Sequence, residues 1–376
     1  MTTLLTPLEA LRLGQWFKLI CGASYQDVSK IRNLSLVFSL AGADCIDVAA
    51  DPAVVQAALA GISVSQSMEP VRRPWLMVSF NDGQDPHFRK AWFDAQQCPP
   101  DCSRPCEQVC PANAILPMAL SLNFDAANPG VLPERCYGCG RCLPVCPYGL
   151  VEEHRFTVAA AAVLPALISQ IDAIEIHTQM GRQEQFQALW RRLASYIPQL
   201  KLVAVSCPDK APKSNAIADY LAELHRRMDP KPNQLLWQTD GRPMSGDIGR
   251  GTTRATIRLA EKVLNARLPG YVQLAGGTND YTVAKLRSLN LLKSSSNHAG
   301  EAEASGIHGI AYGSYARRLV SVGDSPLETM PEELWRQVRL ATELVNQIKR
   351  DPQQKTTQIL RQSNYSQQTP ATIMPP

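Results

Sequence analysis

Apolar positions in this chain fall into short continuous runs separated by stretches with helical spacing. Residues 16–21 form the first run. Val28, Ile31, Leu34, Val37 and Leu40 then recur every three or four positions, which predicts a helix over 27–41 stopped by Gly42. A second run at 45–49 leads into Asp51-Pro52, an N-cap and first-turn pair opening a helix through Val54, Val55, Ala58 and Leu59. A third run occupies 75–80.

The alternation breaks off after that run and resumes beyond residue 154. Helical spacing at 158–170, interrupted by Pro165, precedes a strand at 173–178. Phe186, Leu189, Trp190, Leu193 and Ile197 mark the next helix. Strands at 200–207, 235–239, 271–275 and 307–312 alternate with helices at 215–228, 253–266 and 281–292. A helix over 331–350 carries the stripe Leu334, Val338, Ala341, Val345 and Ile348.

Eight strands alternating with eight helices predict an α/β fold, a TIM-like (βα)8 barrel, although a doubly wound open sheet alternates in the same way. The barrel would take residues 1–81 and 155–350, with residues 82–154 inserted in the third βα loop. All βα loops lie on the C-terminal face of a barrel, so the insertion should cap its mouth. The segment 351–376 is Gln-rich and poor in aromatics, and it reads as a disordered tail.

Eight of the eleven cysteines fall inside the insertion. Cys136, Cys139, Cys142 and Cys146, followed by Pro147, spell C-x2-C-x2-C-x3-C-P, the bacterial ferredoxin run. Two-residue spacers let three thiolates reach three irons of one cluster from a tight turn. Gly138 and Gly140 let the backbone pass close to the sulfides. The fourth cysteine of such a run ligates the other cluster. A companion run is present: Cys98, Cys102, Cys106 and Cys110, followed by Pro111, spell C-x3-C-x3-C-x3-C-P. Pro99, Pro100 and Pro105 argue against one continuous helix there and for a loop. The crossing rule assigns Cys98, Cys102, Cys106 and Cys146 to one 4Fe–4S cluster, and Cys136, Cys139, Cys142 and Cys110 to the second. Two zinc ions in four-cysteine sites are the alternative occupants, and the paired C-P endings favour iron–sulfur. Cys21, Cys45 and Cys207 stand apart on apolar strands and read as buried small hydrophobes.

Composition narrows the picture further. With 45% apolar residues the 376-residue chain can bury a large core, and its net charge of +4 is spread without a basic stripe, so nucleic acid is not an expected partner. Residues 1–14 lack the basic start and apolar core of a secretory signal, and the longest apolar stretch is too short to span a bilayer. A soluble protein kept inside the cell is the expectation.

Two features suggest chemistry in the barrel itself. The seventh and eighth strands end in Gly276-Gly277-Thr278 and Gly313-Ser314. Barrels often bind phosphate at these loops, so flavin mononucleotide or another phosphate-bearing ligand is the expected class, unless the glycines merely turn corners. A further glycine-rich stretch, residues 245–252, reads as a flexible loop or lid. Lys18, Asp47, Glu175 and His177 interrupt otherwise apolar strands. Buried charges are costly unless paired or used. Glu175 and His177 share a face, and alternation alone does not say whether that face points inward. No established catalytic motif accompanies them.

Taken with its flanks, the cysteine block resembles the cyanobacterial light-dependent period (LdpA) family. Besides the two cysteine runs, the residues that carry the likeness are 16–24 (WFKLICGAS), 42–49 (GADCIDVA) and 309–317 (GIAYGSYAR), within a match over about residues 1–350. The resemblance implies 4Fe–4S clusters on the eight cysteines and a cytoplasmic location. It also implies redox sensing that reports photosynthetic state to circadian clock input proteins, with a redox donor such as the quinone pool or ferredoxin. The competing expectation is a flavin-dependent oxidoreductase whose clusters feed electrons to the barrel mouth.

Overall fold

The computed structural model describes residues 5–21, 27–83, 89–110, 113–116, 130–132, 136, 141–155, 160–209, 216–241, 251–293 and 306–349. In chain order, helix α1 (Pro7–Arg12) leads to strand β1 (Trp16–Ile20), α2 (Val28–Leu40), β2 (Cys45–Ala49), α3 (Pro52–Met68) and β3 (Trp75–Asn81). The insertion contributes β4 (Arg89–Trp92), a helical turn α4 (Pro105–Gln108) and β5 (Glu152–Arg155). Next come α5 (Ala160–Leu167), β6 (Ala173–His177), α6 (Gln183–Leu193), β7 (Leu202–Ser206), α7 (Ala216–Arg227), β8 (Leu235–Asp240) and α8 (Thr253–Asn265). The chain finishes with β9 (Tyr271–Ala275), α9 (Thr282–Ser288), β10 (Gly309–Tyr312), α10 (Ser314–Leu319) and α11 (Pro331–Lys349).

Eight parallel strands close into a ring in the order β1-β2-β3-β6-β7-β8-β9-β10, the last pairing back to the first with Ala311 beside Lys18. This is the predicted barrel, and closure rules out the open sheet. Each helix start that the sequence signalled is formed as expected. The Asp27 side chain accepts from Lys30 N–H at the start of α2, and the Asp51 side chain from Ala53 and Val54 N–H at the start of α3.

The register identifies which side chains point inward, because residues paired across parallel strands share a face. One series runs Asn81, His177, Ser206, Gln238, Gln273, Gly309 and Trp16. A second runs Ser79, Glu175, Ala204, Leu236 and Tyr271. Asp47, Met77, Ala173 and Leu202 form a third. Direct contacts among Lys18, Asp47 and Glu175 establish that this face is the interior.

The interior is divided in two. Its N-terminal half is apolar: Trp16, Cys45, Trp75, Ala173, Leu202, Leu236 and Tyr271 pack together, Trp16 and Trp75 edge to face at 5.7 Å. Helix α1, started by a capping box between Thr6 and Glu9, lays Leu8 and Leu11 against this layer and closes that end. The outward faces of the strands carry the larger core, shared with the helices. Tyr312 and Trp237 belong there, Tyr312 stacked on Phe17 at 5.1 Å, so neither fills the barrel mouth.

The insertion leaves the barrel at the end of β3 and returns to it through α5. Its two ends meet in an antiparallel ribbon, β4 with β5, which sequence periodicity missed because Arg89, Lys90, Glu152, Glu153 and His154 dominate it.

Candidate metal centre and barrel interior

The cysteine runs share a small core of their own. Cys106, Cys136 and Cys142 are buried with Ala91, Phe93, Ala114, Ile115, Val131 and Val151, and Cys98, Cys110 and Cys146 pack against that cluster. Gly130 is required here, since a Cβ would stand 2.2 Å from the Phe93 ring. The first run does not form a continuous helix; its helical turn starts at Pro105. Cys139, Gly138, Gly140 and Pro111 lie outside the described residues, as does most of the 245–252 stretch.

Electrostatic neighbours sort the described thiols into a group. Burial pushes the Cys98 and Cys106 thiols up, and the neighbouring sulfurs Cys102 and Cys146 add to this at Cys98. Cys98 and Cys146 likewise act on Cys106. Cys98 thus neighbours Cys102 and Cys146, and Cys106 neighbours Cys98 and Cys146, although Cys146 belongs to the other run. Cys146 itself is held below the usual thiol range. Burial opposes this, but N–H groups of Val151, Tyr148, Leu150 and Gly149 converge on its sulfur and prevail. The chain wraps the sulfur by turning at Pro147 and at Gly149, whose φ is +64°. Additional N–H groups point at other sulfurs: Arg104 N–H to Cys102 at 3.4 Å and Ala114 N–H to Cys110 at 3.3 Å. Thiols so provided with backbone donors fit a thiolate-ligated cluster, whose negative charge such donors stabilise. Among the described residues no three Cys, His, Asp or Glu side chains close on a point suited to one ion.

The second run is tied to the barrel by Arg141, which lies between Cys139 and Cys142. Its guanidinium meets the Asp27 carboxylate at 2.5 Å and Asp324 at 3.9 Å. Asp27 is buried and also pairs with Lys30 at 3.2 Å, so one carboxylate caps α2 and holds the cysteine loop. Lys90 of the ribbon lies 4.0 Å from Asp51, the cap of α3. Both contacts are on βα loops, which places the insertion on the C-terminal face as expected. Arg141→Ala should weaken docking of the insertion by about 1–3 kcal/mol, the worth of a charge-assisted hydrogen bond. Hydrogen exchange across 141–155 should rise at least several-fold, with α6 and α7 unchanged as internal controls.

Inside the barrel, all four charged residues singled out from the strands meet. Lys18 Nζ contacts Glu175 and lies 3.1 Å from Asp47 and 3.6 Å from the Met77 sulfur. Ser79 donates to Asp47 at 2.8 Å. A one-way series of donors runs toward Glu175: Trp16 to Gln273 at 2.9 Å, Gln273 to Gln238 at 2.6 Å, Gln238 to Glu175 at 2.5 Å. His177 Nε2 completes the carboxylate's surroundings at 3.2 Å. Burial alone would lower the Lys18 pKa, but Asp47 and Glu175 outweigh it and hold the ammonium above its ordinary value. Glu175 is held low, because Lys18 and His177 overcome the effect of burial, whereas burial keeps Asp47 high. Sequence reasoning found the charged members and missed Ser79, Gln238 and Gln273. Gln238, two positions from Asp240 on β8, gave a readable signal, a polar residue recurring at the second position.

The glycine loops are spent largely on the fold. Gly276 and Gly277 have φ of +65° and +93°, and a Cβ on Gly277 would meet the Thr252 carbonyl at 2.8 Å. Thr252 donates to the Gly277 carbonyl at 2.8 Å, and Thr278 to that of Ala311 at 2.7 Å. Ser314 accepts from Arg317, which also holds the Ile20 carbonyl. Turning corners, the structural alternative, accounts for Gly277 and Thr278; Gly313 remains open, with nothing nearer a Cβ than Ile20 at 3.8 Å.

Against known proteins, residues 98–157 match the LdpA Fe-S cluster-binding domain and residues 167–347 the Light dependent period A C-terminal domain. Light dependent period A of Synechococcus elongatus is 51% identical over 351 residues, covering 91% of this chain and 94% of the relative. The chain belongs to the Light dependent period A family. The family's cluster-binding match begins at Cys98 and ends just past β5, so it takes in most of the inserted segment but not β4. Its C-terminal match carries strands β6 to β10, so the barrel also needs β1 to β3 from before the cluster region. Among solved structures, the N-terminal domain of a putative aldolase from Bacteroides vulgatus aligns at 11% identity and a TM-score of 0.38, over 89% of this chain and 86% of that one. A truncated 3-deoxy-D-arabino-heptulosonate 7-phosphate synthase from Thermotoga maritima aligns at 12% and 0.35, over 88% and 87%. Among the described residues no helix is long and apolar enough to cross a membrane.

Proposed function

We propose that this protein is a redox sensor carrying two 4Fe–4S clusters, which passes cellular, photosynthesis-linked redox state to circadian clock input proteins. The observation that carries this is the shared core of the cysteine runs, docked on the barrel by an arginine from within the second run. When bound, the clusters would supply reversible one-electron chemistry. The chain's residues would supply the rest. Cys98, Cys102, Cys106 and Cys146 hold one cluster, and Cys110, Cys136, Cys139 and Cys142 the other. Backbone N–H groups around Cys146 stabilise negative charge at that corner. Arg141 and Asp27 carry a change in charge at the cysteine loop to the start of α2, and so to the barrel. A redox donor such as the quinone pool or ferredoxin would set the state, and a clock input protein would read it.

Anaerobically purified protein should contain about eight irons and eight acid-labile sulfides per chain, as two four-iron clusters require. Reduction with dithionite should then alter hydrogen exchange at 141–155 and around Asp27. Stoichiometric zinc without sulfide would overturn the cluster assignment. Intact clusters whose reduction leaves exchange unchanged would overturn the sensing route alone.

A further inference from the structure

We propose that Arg104 sets the reduction potential of the cluster held by Cys98, Cys102, Cys106 and Cys146, raising it with a buried positive charge and N–H donors. This rests on the two-cluster reading, and it names the residue that fixes the point at which the sensor switches.

Arg104 stands inside the first run, between Cys102 and Cys106. Its side chain is 11% exposed, low for an arginine. Local backbone needs do not account for it. The residue sits where α4 starts, a position suited to Ser, Thr, Asp or Asn, and its side chain makes no cap. Its backbone is left-handed, at φ +51° and ψ +54°, a region that favours glycine or asparagine. Pro105 follows, and the residue before a proline prefers extended backbone. An arginine is therefore strained at this position, and such strain gathers at functional sites.

What the position gains is positive charge beside sulfur. The Arg104 N–H reaches the Cys102 sulfur at 3.4 Å. The guanidinium acts on Cys98 and Cys106, favouring their thiolates against the effect of burial. Three of the four thiols thus have Arg104 as a neighbour. One Nη donates to the Leu116 carbonyl, which holds the guanidinium in place. Nε is buried and makes no hydrogen bond, since the Glu107 carboxylate 3.4 Å away is out of line for one. Leaving a buried charged N–H without an acceptor is costly, and a cluster on these cysteines would bring sulfur acceptors beside it.

Reduction adds one electron to a group that four thiolates already make negative, with no bond made or broken in the protein. A fixed positive charge and N–H donors stabilise the added charge, so the potential rises. Glu107, whose side chain is 37% exposed, pairs with Arg104 and pulls the other way.

The test is a potentiometric titration of the cluster-loaded full chain, following the paramagnetic signal of each reduced cluster. The signal lost in Cys102→Ser identifies the cluster of the first run. Arg104→Gln should lower that cluster's reduced-to-oxidised ratio at fixed ambient potential about ten-fold, which is about 59 mV for a one-electron couple. The other cluster should move far less. Arg104→Lys, which keeps the charge, should recover most of the ratio, and Glu107→Gln should raise it several-fold. A residue that merely fastened the loop to Leu116 would lower Tm and leave the ratio alone. Intact clusters with an unmoved ratio in Arg104→Gln, or equal shifts in the Gln and Lys variants, would overturn the role of Arg104 alone. Should Arg104→Gln fail to load its clusters, Glu107→Gln decides, and a ratio unmoved or lowered there overturns the role. Zinc without acid-labile sulfide in the unaltered chain would overturn the cluster reading, and this role with it.

Discussion

Replacing Lys18 with methionine is expected to cost the fold about 3–5 kcal/mol, the penalty of leaving buried carboxylates without their counter-ion. Lys18 is fully buried and is the cation shared by Asp47 and Glu175, both themselves buried. Methionine fills a similar volume, so the loss would come from charge and not from a cavity. The measurement is a urea titration of barrel unfolding followed by tryptophan fluorescence, since Trp16 and Trp75 sit in the interior. A compensated variant, Lys18→Met with Asp47→Asn and Glu175→Gln, should recover most of the loss, because replacing a whole buried ionic set is often nearly neutral. If the single variant lost less than about 1 kcal/mol, the range of a surface ion pair, the network would not be buried as described.

Cys146→Ser is expected to remove the cluster of the first run, although Cys146 belongs to the second. Iron content should fall from about eight to about four per chain if each cluster needs all four of its thiolates. The proximity of Cys98 and Cys106 to Cys146 motivates this, as do the four N–H groups that hold the Cys146 thiol low. Cys110→Ser is the mirror experiment and should damage the cluster of Cys136, Cys139 and Cys142. Paramagnetic spectra of the reduced variants would tell the two apart. A Cys146→Ser spectrum that loses the second run's signal and keeps the first's would show uncrossed ligation.

The alternating strands and helices were legible because a barrel strand leaves a continuous apolar run and its helix an apolar stripe. Closure was not legible, since closed and open sheets alternate alike; the pairing of the last strand back to the first, with Ala311 beside Lys18, decides between them. Helix α1 escaped notice at six residues, though Thr6-Pro7-Leu8-Glu9 carries a readable capping box. The two cysteine runs were plain from spacing. The barrel network was half visible: Lys18, Asp47, Glu175 and His177 stand out as charges, whereas Ser79, Ser206, Gln238 and Gln273 are neutral and fit any strand face. The glycine loops read two ways, because Gly277 answers to the crowding of Thr252 and that need looks the same in sequence as a phosphate cradle.

The β4–β5 ribbon has a consequence for how the ring assembles. β3 and β6 are adjacent staves, yet the chain between them runs through the whole insertion, so their pairing closes a loop of about ninety residues against chain entropy. The ribbon pinches that loop at its neck, pairing Arg89 with Arg155 and Trp92 with Glu152, and leaves seven residues on one side and seventeen, α5 among them, on the other to be ordered when the staves meet. Whatever stiffens the cysteine segment also brings the two ends of this neck together. Loading of the cysteines and completion of the barrel are thus mechanically linked steps, and a chain that fails at the first carries an unshortened loop into the second.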